Sequence, residues 1–334
     1  MEYLQSINPV MLNVSGYAVT WYGFAYTFGF AGMALWLWHE REVLGWTTLD
    51  VVDSSIIFVL TVLVCGRLFE VFVYEWEWYR LHLAQIPMIW KGGMASHGLF
   101  GGAMVAAAIV RHRTGTPLLV LLDILTVAGA LIFAVGRIGN FIEGGVIGTV
   151  TDLPWGVKAS GVEGLRHPVA LYDGAKNFLL LPVLGAVLRR WPAGLGAATG
   201  VFLAAYGGLR FVIDQFRDYE SVLWGIGPGQ WFNLAMAATG LAVLWRRPFR
   251  TETLRPKNFN AQPTGLALAL RTSLLVVLIL FPSCIPTSWT AEYLALKRQS
   301  TSRFMGTDLM DRWPSVSTIL SKTGVRLSDL PPLD

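Results

Sequence analysis

Long apolar runs recur along almost the whole chain, and they leave it few ways to fold. A helix rises about 1.5 Å per residue, so crossing a hydrocarbon core of about 30 Å takes about 20 mostly apolar residues. Seven segments fit: Ala18 to Trp38, Ser54 to Tyr74, Ser96 to Val110, Leu118 to Val135, Ala175 to Val187, Ala193 to Ile213 and Trp231 to Trp245. Three of them are short, so their ends must reach into the flanks or their helices must be broken. The expected class is all-α, a polytopic membrane helical bundle with seven transmembrane helices. An eighth hydrophobic segment, Pro263 to Ile285, carries Arg271 ahead of SLLVVLILF and either spans or lies in the interface. The expected division is a membrane domain over 1–250 and an extension over 251–334, with a helix at 263–285 and a polar tail.

Only 14% of the 334 residues are charged, against about 25% in an ordinary globular domain, which excludes a soluble enzyme. The net charge of +4 is spread through the short links, so it reports topology rather than a nucleic-acid partner. Links after the odd-numbered spans hold Arg41, Arg111, Arg113, Arg189, Arg190, Arg246, Arg247, Arg250, Arg255 and Lys257; the opposite links hold Arg80, Lys91, Lys158, Arg166 and Arg217. The richer set belongs in the cytoplasm, which puts the amino terminus outside. That terminus has no Lys or Arg before its first apolar run, so a removable signal peptide is not expected.

Cys65 and Cys284 show neither ligand spacing nor a disulfide framework. No HExxH, GxSxG, paired-carboxylate or phosphate-loop pattern occurs, so metal, nucleotide and serine-hydrolase chemistry are not expected, and no cofactor is. Gly23, Gly29, Gly32, Gly101, Gly102, Gly207 and Gly208 lie inside the apolar runs, where small residues let helices approach.

The informative residues are the charges inside those runs. Arg67 and Glu70 share a helical face; Arg137, Asn140 and Glu143 recur every three residues; Arg210, Asp214 and Arg217 fall at i, i+4 and i+7. Ionisable groups in apolar helices face a bundle interior or an aqueous cleft. Arg67 with Glu70 and Arg210 with Asp214 are candidate structural ion pairs, but carboxylates do not balance every arginine. The surplus suits an anion, and the abundant anion in a membrane is a lipid phosphate, which guanidinium binds through paired donors. His97, in WKGGMASHGLFGG, is either a helix-end residue or a site residue. Tyr22 and Tyr26 either pack or direct a phenol into the same cleft.

With these residues isolated, the sequence resembles the prolipoprotein diacylglyceryl transferase family. The central match is VGRIGNFIEGG at Val135 to Gly145. TWYGFAYTFGF, GRLFEVFVY, IWKGGMASHGLFGG, RHPVALYD and YGGLRFVIDQFRD complete an ordered set. The resemblance implies a bacterial inner-membrane protein, expected to be a monomer. It implies transfer of the diacylglyceryl group of phosphatidylglycerol to the lipobox cysteine of a preprolipoprotein, with release of glycerol phosphate. It carries Arg137, Asn140, Arg210, His97 and Tyr26 onto the family's catalytic positions. Arg67, Glu143, Asp214 and Arg217 are expected in substrate binding, with Asp214 where the family usually has Glu. His97, Glu143 or Asp214 could act as base, or an acid could hold an arginine in place.

Three departures stand out. The family signature ends FINGE, whereas this chain reads Glu143, Gly144, Gly145, so the acid sits two positions early. Leu99 replaces the second glycine after the histidine, and the tail contains LFPSC at Leu280 to Cys284, a faint lipobox. They motivate two alternatives: a transferase of the same fold with another acceptor, and an inactive lipid-binding or lipoprotein-handling protein.

Overall fold

The computed structural model describes residues 10–14, 17–88, 94–143, 146–158, 163–218, 226, 228–246, 265–283 and 285–286. The expected polar tail, the linker 251–264, Cys284, Gly144, Gly145 and the stretch with Lys91 lie outside them, as do the side chains of His97 and Glu143.

Strands β1 (Val10–Val14) and β2 (Tyr17–Thr20) form a hairpin ahead of α1 (Trp21–His39). Then come α2 (Arg41–Leu44), α3 (Thr48–Phe69) with a π-helical turn Glu70–Tyr74, α4 (Trp76–Tyr79), α5 (Ser96–Thr114) and α6 (Leu118–Glu143). The short strands β3 (Val157–Lys158) and β4 (Leu165–Arg166) precede α7 (Val169–Arg190), α8 (Ala197–Ile213), α9 (Pro228–Trp245), α10 (Gly265–Leu280) and β5 (Ile285–Pro286).

Every expected span is a helix, but the ends differ. The first starts at Trp21 because Ala18 belongs to β2, and Thr20 caps it by accepting from the Gly23 N–H at 3.0 Å. The second begins earlier, at Thr48, where Thr47 and Asp50 form a reciprocal capping box. The short third, fifth and seventh segments do reach into their flanks. The fourth runs through Gly136 and Gly139 to Glu143, so the backbones of Arg137, Asn140 and Glu143 lie on one continuous helix. Helix α5 stops at left-handed Gly115, and the short α2 that follows α1 stops at left-handed Gly45.

Helix α6 is central. On one side, Phe30, Leu37, Phe58, Val59, Leu121 and Ile124 from α1, α3 and α6 form one apolar cluster. On the other, Leu180, Leu184, Phe202, Tyr206 and Met236 from α7, α8 and α9 form a second. The outward faces are as apolar as the interior: Leu179 is 70%, Leu241 61% and Leu266 71% exposed. Water would not tolerate such a belt, whereas lipid is its natural solvent. Thr48–Val73, Leu118–Ile142, Val169–Arg190, Ala197–Phe216 and Gly265–Ser283 are long and apolar enough to cross a bilayer. The protein is a polytopic helical membrane bundle.

Close packing falls on particular glycines. A Cβ on Gly207 would meet the Asn233 carbonyl oxygen at 2.5 Å, and one on Gly102 would meet the Thr61 carbonyl oxygen at 2.8 Å. These contacts bring α9 onto α8 and α5 onto α3. Gly101 and Gly208 do not serve this purpose, since a Cβ there would face open space.

Asp123 joins α6 to the turn between α7 and α8. It is 1% exposed, and its oxygens accept the N–H groups of Gly194, Gly196 and Thr199 at 2.8–2.9 Å and the Thr199 hydroxyl at 2.7 Å. It thus caps the start of α8 from another helix, where Gly196 has φ +67°. Asp123→Ala strands those buried donors and should cost about 3 kcal/mol or more, read as a fall in the detergent unfolding midpoint.

The eighth segment lies lengthwise on α3 and α1. Arg271 donates to Asp53 near the start of α3 at 2.6 Å, and at the far end Thr27 of α1 donates to the Ile279 carbonyl at 2.8 Å. β5 then pairs with β2, so the chain comes back beside its own first hairpin.

Candidate active site

The bundle end that carries β2 holds a cleft of about 280 Å³. It is built from the first turns of α1, α5 and α9 and the last turns of α6 and α8. Val146 and Arg217 also line it, from a cap in which Thr149 N–H donates to Phe216 O at 2.8 Å and Arg166 meets Asp218 at 3.1 Å.

Arg137 and Asn140 reach it from α6, one turn apart, with Arg137 Nη1 donating to Asn140 Oδ1 at 3.1 Å. Gly139 lets α1 close over them, since a Cβ there would lie 2.8 Å from Tyr22 Cα. Tyr22 and Tyr26 therefore both line the cleft, their hydroxyls 2.9 Å apart. Arg210 comes from the last turn of α8, and its Nη2 meets Asp214 Oδ1 at 2.9 Å. Asn233 of α9 holds the other Asp214 oxygen at 2.8 Å.

The two arginines meet at one carboxylate. Asp173, in the first turns of α7 and 0% exposed, accepts from Arg137 Nε and from Arg210 Nη1 (2.6 Å) on Oδ2, while Lys176 Nζ lies 2.8 Å from Oδ1. Three cations converge on a single acid in a region with little water to screen them. The expected pair Arg210 with Asp214 is present, and among the described residues carboxylates are fewer than cations here. The wall of the cleft is therefore electropositive, with apolar rings of Phe100, Phe133 and Phe232 around it. Chemically it can grip an anion whose attached chains lie in a greasy surround.

Tyr26, Arg137, Asn140, Arg210, Asp214 and Arg217 are brought together here. Arg67 is not among the lining residues. It is 2% exposed, donates to the carbonyls of Gln85 (2.8 Å) and Ile86 (3.0 Å), and stacks over Tyr79 at 4.8 Å, anchoring the connection after α3. His97 is in the first turn of α5, two positions before the lining residue Leu99, which Phe100 follows. The departure at Leu99 thus falls in the cleft wall. Asp173, Lys176 and Asn233 carry no role in the sequence reading, although Asp173 and Lys176 are an i, i+3 charge pair inside an apolar helix.

The model of the prolipoprotein diacylglyceryl transferase family matches residues 9–246. The chain belongs to this family. It is similar to the phosphatidylglycerol-prolipoprotein diacylglyceryl transferase of Methylibium petroleiphilum, 38% identical over 252 residues, which cover 71% of this chain and 95% of the relative. The enzyme of the same name from Cupriavidus pinatubonensis is 36% identical over 264 residues, 75% of this chain and 95% of the relative. That from Nitrosomonas europaea is 35% identical over 247 residues, 71% and 89%. The cleft, its arginines and its tyrosines all lie within the family region, whereas α10 and β5 lie beyond it.

Proposed function

We propose that this inner-membrane enzyme transfers the diacylglyceryl group of phosphatidylglycerol to the lipobox cysteine of preprolipoproteins, forming a thioether and releasing glycerol phosphate. Family membership supplies the reaction class, and the observation that carries it to these residues is the meeting of Arg137 and Arg210 at Asp173 in the cleft wall. The substrate thiol loses its proton, and sulfur attacks the glyceryl carbon that bears the phosphate. The carbon–oxygen bond breaks, and its electron pair leaves on the phosphate oxygen.

Charge grows on that oxygen, so donors aimed at it stabilise the transition state more than the ground state. Arg137 and Arg210 are assigned to the phosphate, Asn140 to orienting Arg137 and a substrate oxygen, and Tyr26 to the glyceryl ester region. Asp214 holds Arg210, and Arg217 adds positive charge at the rim. His97 and Glu143 are assigned to the thiol proton or to positioning. Arg67 acts at a distance through the connection it anchors.

The cleft end is assigned to the outer side, with the amino terminus outside and seven crossings through α9, since Arg41, Arg111, Arg113, Arg189, Arg190 and Arg246 all follow helices that run away from it. On this reading α10 is an eighth crossing that returns the chain to the outer face, and the protein acts as a monomer. Leu99 in the cleft wall and glycine at position 145 favour, as a second reading, the same lipid donor with another acceptor.

Complementation of a strain lacking its own transferase tests the assignment. The wild-type chain should restore lipoprotein maturation, and Glu143→Gln should lower the rate by about 10²-fold or more if the acid has moved two positions. Full rescue by Glu143→Gln would remove Glu143 from the chemistry, and no rescue by wild type would favour the other acceptor.

A further inference from the structure

Lys176 is a lysine in the middle of an apolar helix, 5% exposed, and it does not line the cleft. Such a residue is costly to bury unless each donor is satisfied. Its ammonium lies 2.8 Å from Asp173 Oδ1, donates to Asn177 Oδ1 at 2.9 Å, and sits 3.6 Å from the centre of the Tyr206 ring. An ion pair, a hydrogen bond and a ring face therefore hold the group in one place.

Two of those partners are walls of the cleft or hold them. Tyr206 lines it directly, and Asp173 holds Arg137 and Arg210. Without a cation on Oδ1, one carboxylate facing two guanidinium groups would offer each its own oxygen. With Lys176 on Oδ1, both arginines share Oδ2 and are drawn side by side. Charge points the same way. Among the described residues, the ion-paired cluster sets Arg137, Arg210 and Lys176 against Asp173 and Asp214, three against two; without Lys176 that cluster is two against two.

We infer that Lys176 is a positioning residue for phosphate recognition: by taking one oxygen of Asp173 it gathers both arginines on the other and leaves one uncompensated positive charge behind the cleft wall for an anionic headgroup. The inference rests on the reaction proposed above. It concerns the phosphate half of the lipid and not the acceptor peptide.

The test is binding of glycerol phosphate, the released headgroup, to the purified full-length protein in phosphatidylglycerol-free nanodiscs, with lipobox-peptide binding measured in parallel. Lys176→Met should weaken glycerol phosphate binding on the order of tenfold with peptide affinity unchanged, and Lys176→Arg should restore it to within about threefold of wild type. Should Lys176→Met fail to fold, Lys176→Gln keeps a donor to Asp173 without the charge and should show the same loss. The inference is overturned if either neutral variant binds glycerol phosphate within twofold of wild type, if both ligands weaken together, if Lys176→Arg fails alongside Lys176→Met, or if the wild type does not bind glycerol phosphate. A wild type that binds it yet makes no thioether would overturn the proposed reaction and leave the role of Lys176 standing.

Discussion

Arg137→Gln should lower kcat/KM for phosphatidylglycerol by about 10²- to 10³-fold, the usual cost of removing one donor from a charge that develops in the transition state. Arg137 binds Asp173 through Nε and Asn140 through Nη1, so it is fixed before substrate arrives. Preorganisation of this kind is lost with the guanidinium, and glutamine cannot reproduce the paired fork. Arg137→Lys keeps the charge but not the fork and should recover only part of the rate. The loss should fall on kcat as well as KM, because the leaving oxygen gains charge as the bond breaks. An effect confined to KM would mean that Arg137 only holds the ground-state headgroup.

Asp173→Ala should be worse for the fold than for any single chemical step. Removing the shared carboxylate leaves Arg137, Arg210 and Lys176 near one another with Asp214 as the remaining acid of the cluster. Breaking a buried pair by deleting one partner costs about 3–5 kcal/mol, and here one deletion breaks three pairs. The unfolding midpoint in detergent should drop sharply and transfer activity should vanish with it. Asp173→Glu keeps the charge and should retain more of the midpoint than Asp173→Ala. Equal midpoints for wild type and Asp173→Ala would show that the three cations do not depend on this acid.

Much of this was legible in the sequence because hydrocarbon penalises charge so heavily. Arg137, Asn140, Arg210 and Asp214 stand out against apolar neighbours, and their spacing puts them on two helix faces that do converge. The acid that joins them was not legible as such. Drawing the fifth span from Ala175 cuts off Asp173, whereas the helix begins at Val169, where the chain leaves β4. Arg67 shows the opposite limit: spacing puts Glu70 on its helix face but says nothing of the backbone carbonyls of residues 85 and 86 that Arg67 serves, 18 and 19 positions away. No local pattern encodes that contact. The smallness of a glycine is visible in sequence but its neighbour is not, which is why Gly207 and Gly208 differ although adjacent. For α10, hydropathy leaves spanning and interfacial positions open; the Asp53 and Thr27 contacts set its direction along α3 and α1.

The central claim is that the chain moves a diacylglyceryl group from a phospholipid to a thiol. The most direct measurement uses phosphatidylglycerol labelled separately in its acyl chains and in its phosphoglycerol headgroup, incubated with the purified protein and a lipobox peptide. The account predicts acyl label on the peptide cysteine that survives neutral hydroxylamine, which cleaves a thioester but spares the thioether and the glyceryl oxygen esters, with an equal amount of headgroup label released as glycerol phosphate. Lipid turnover without a thioether peptide, or acyl label released from the peptide by neutral hydroxylamine, would contradict it.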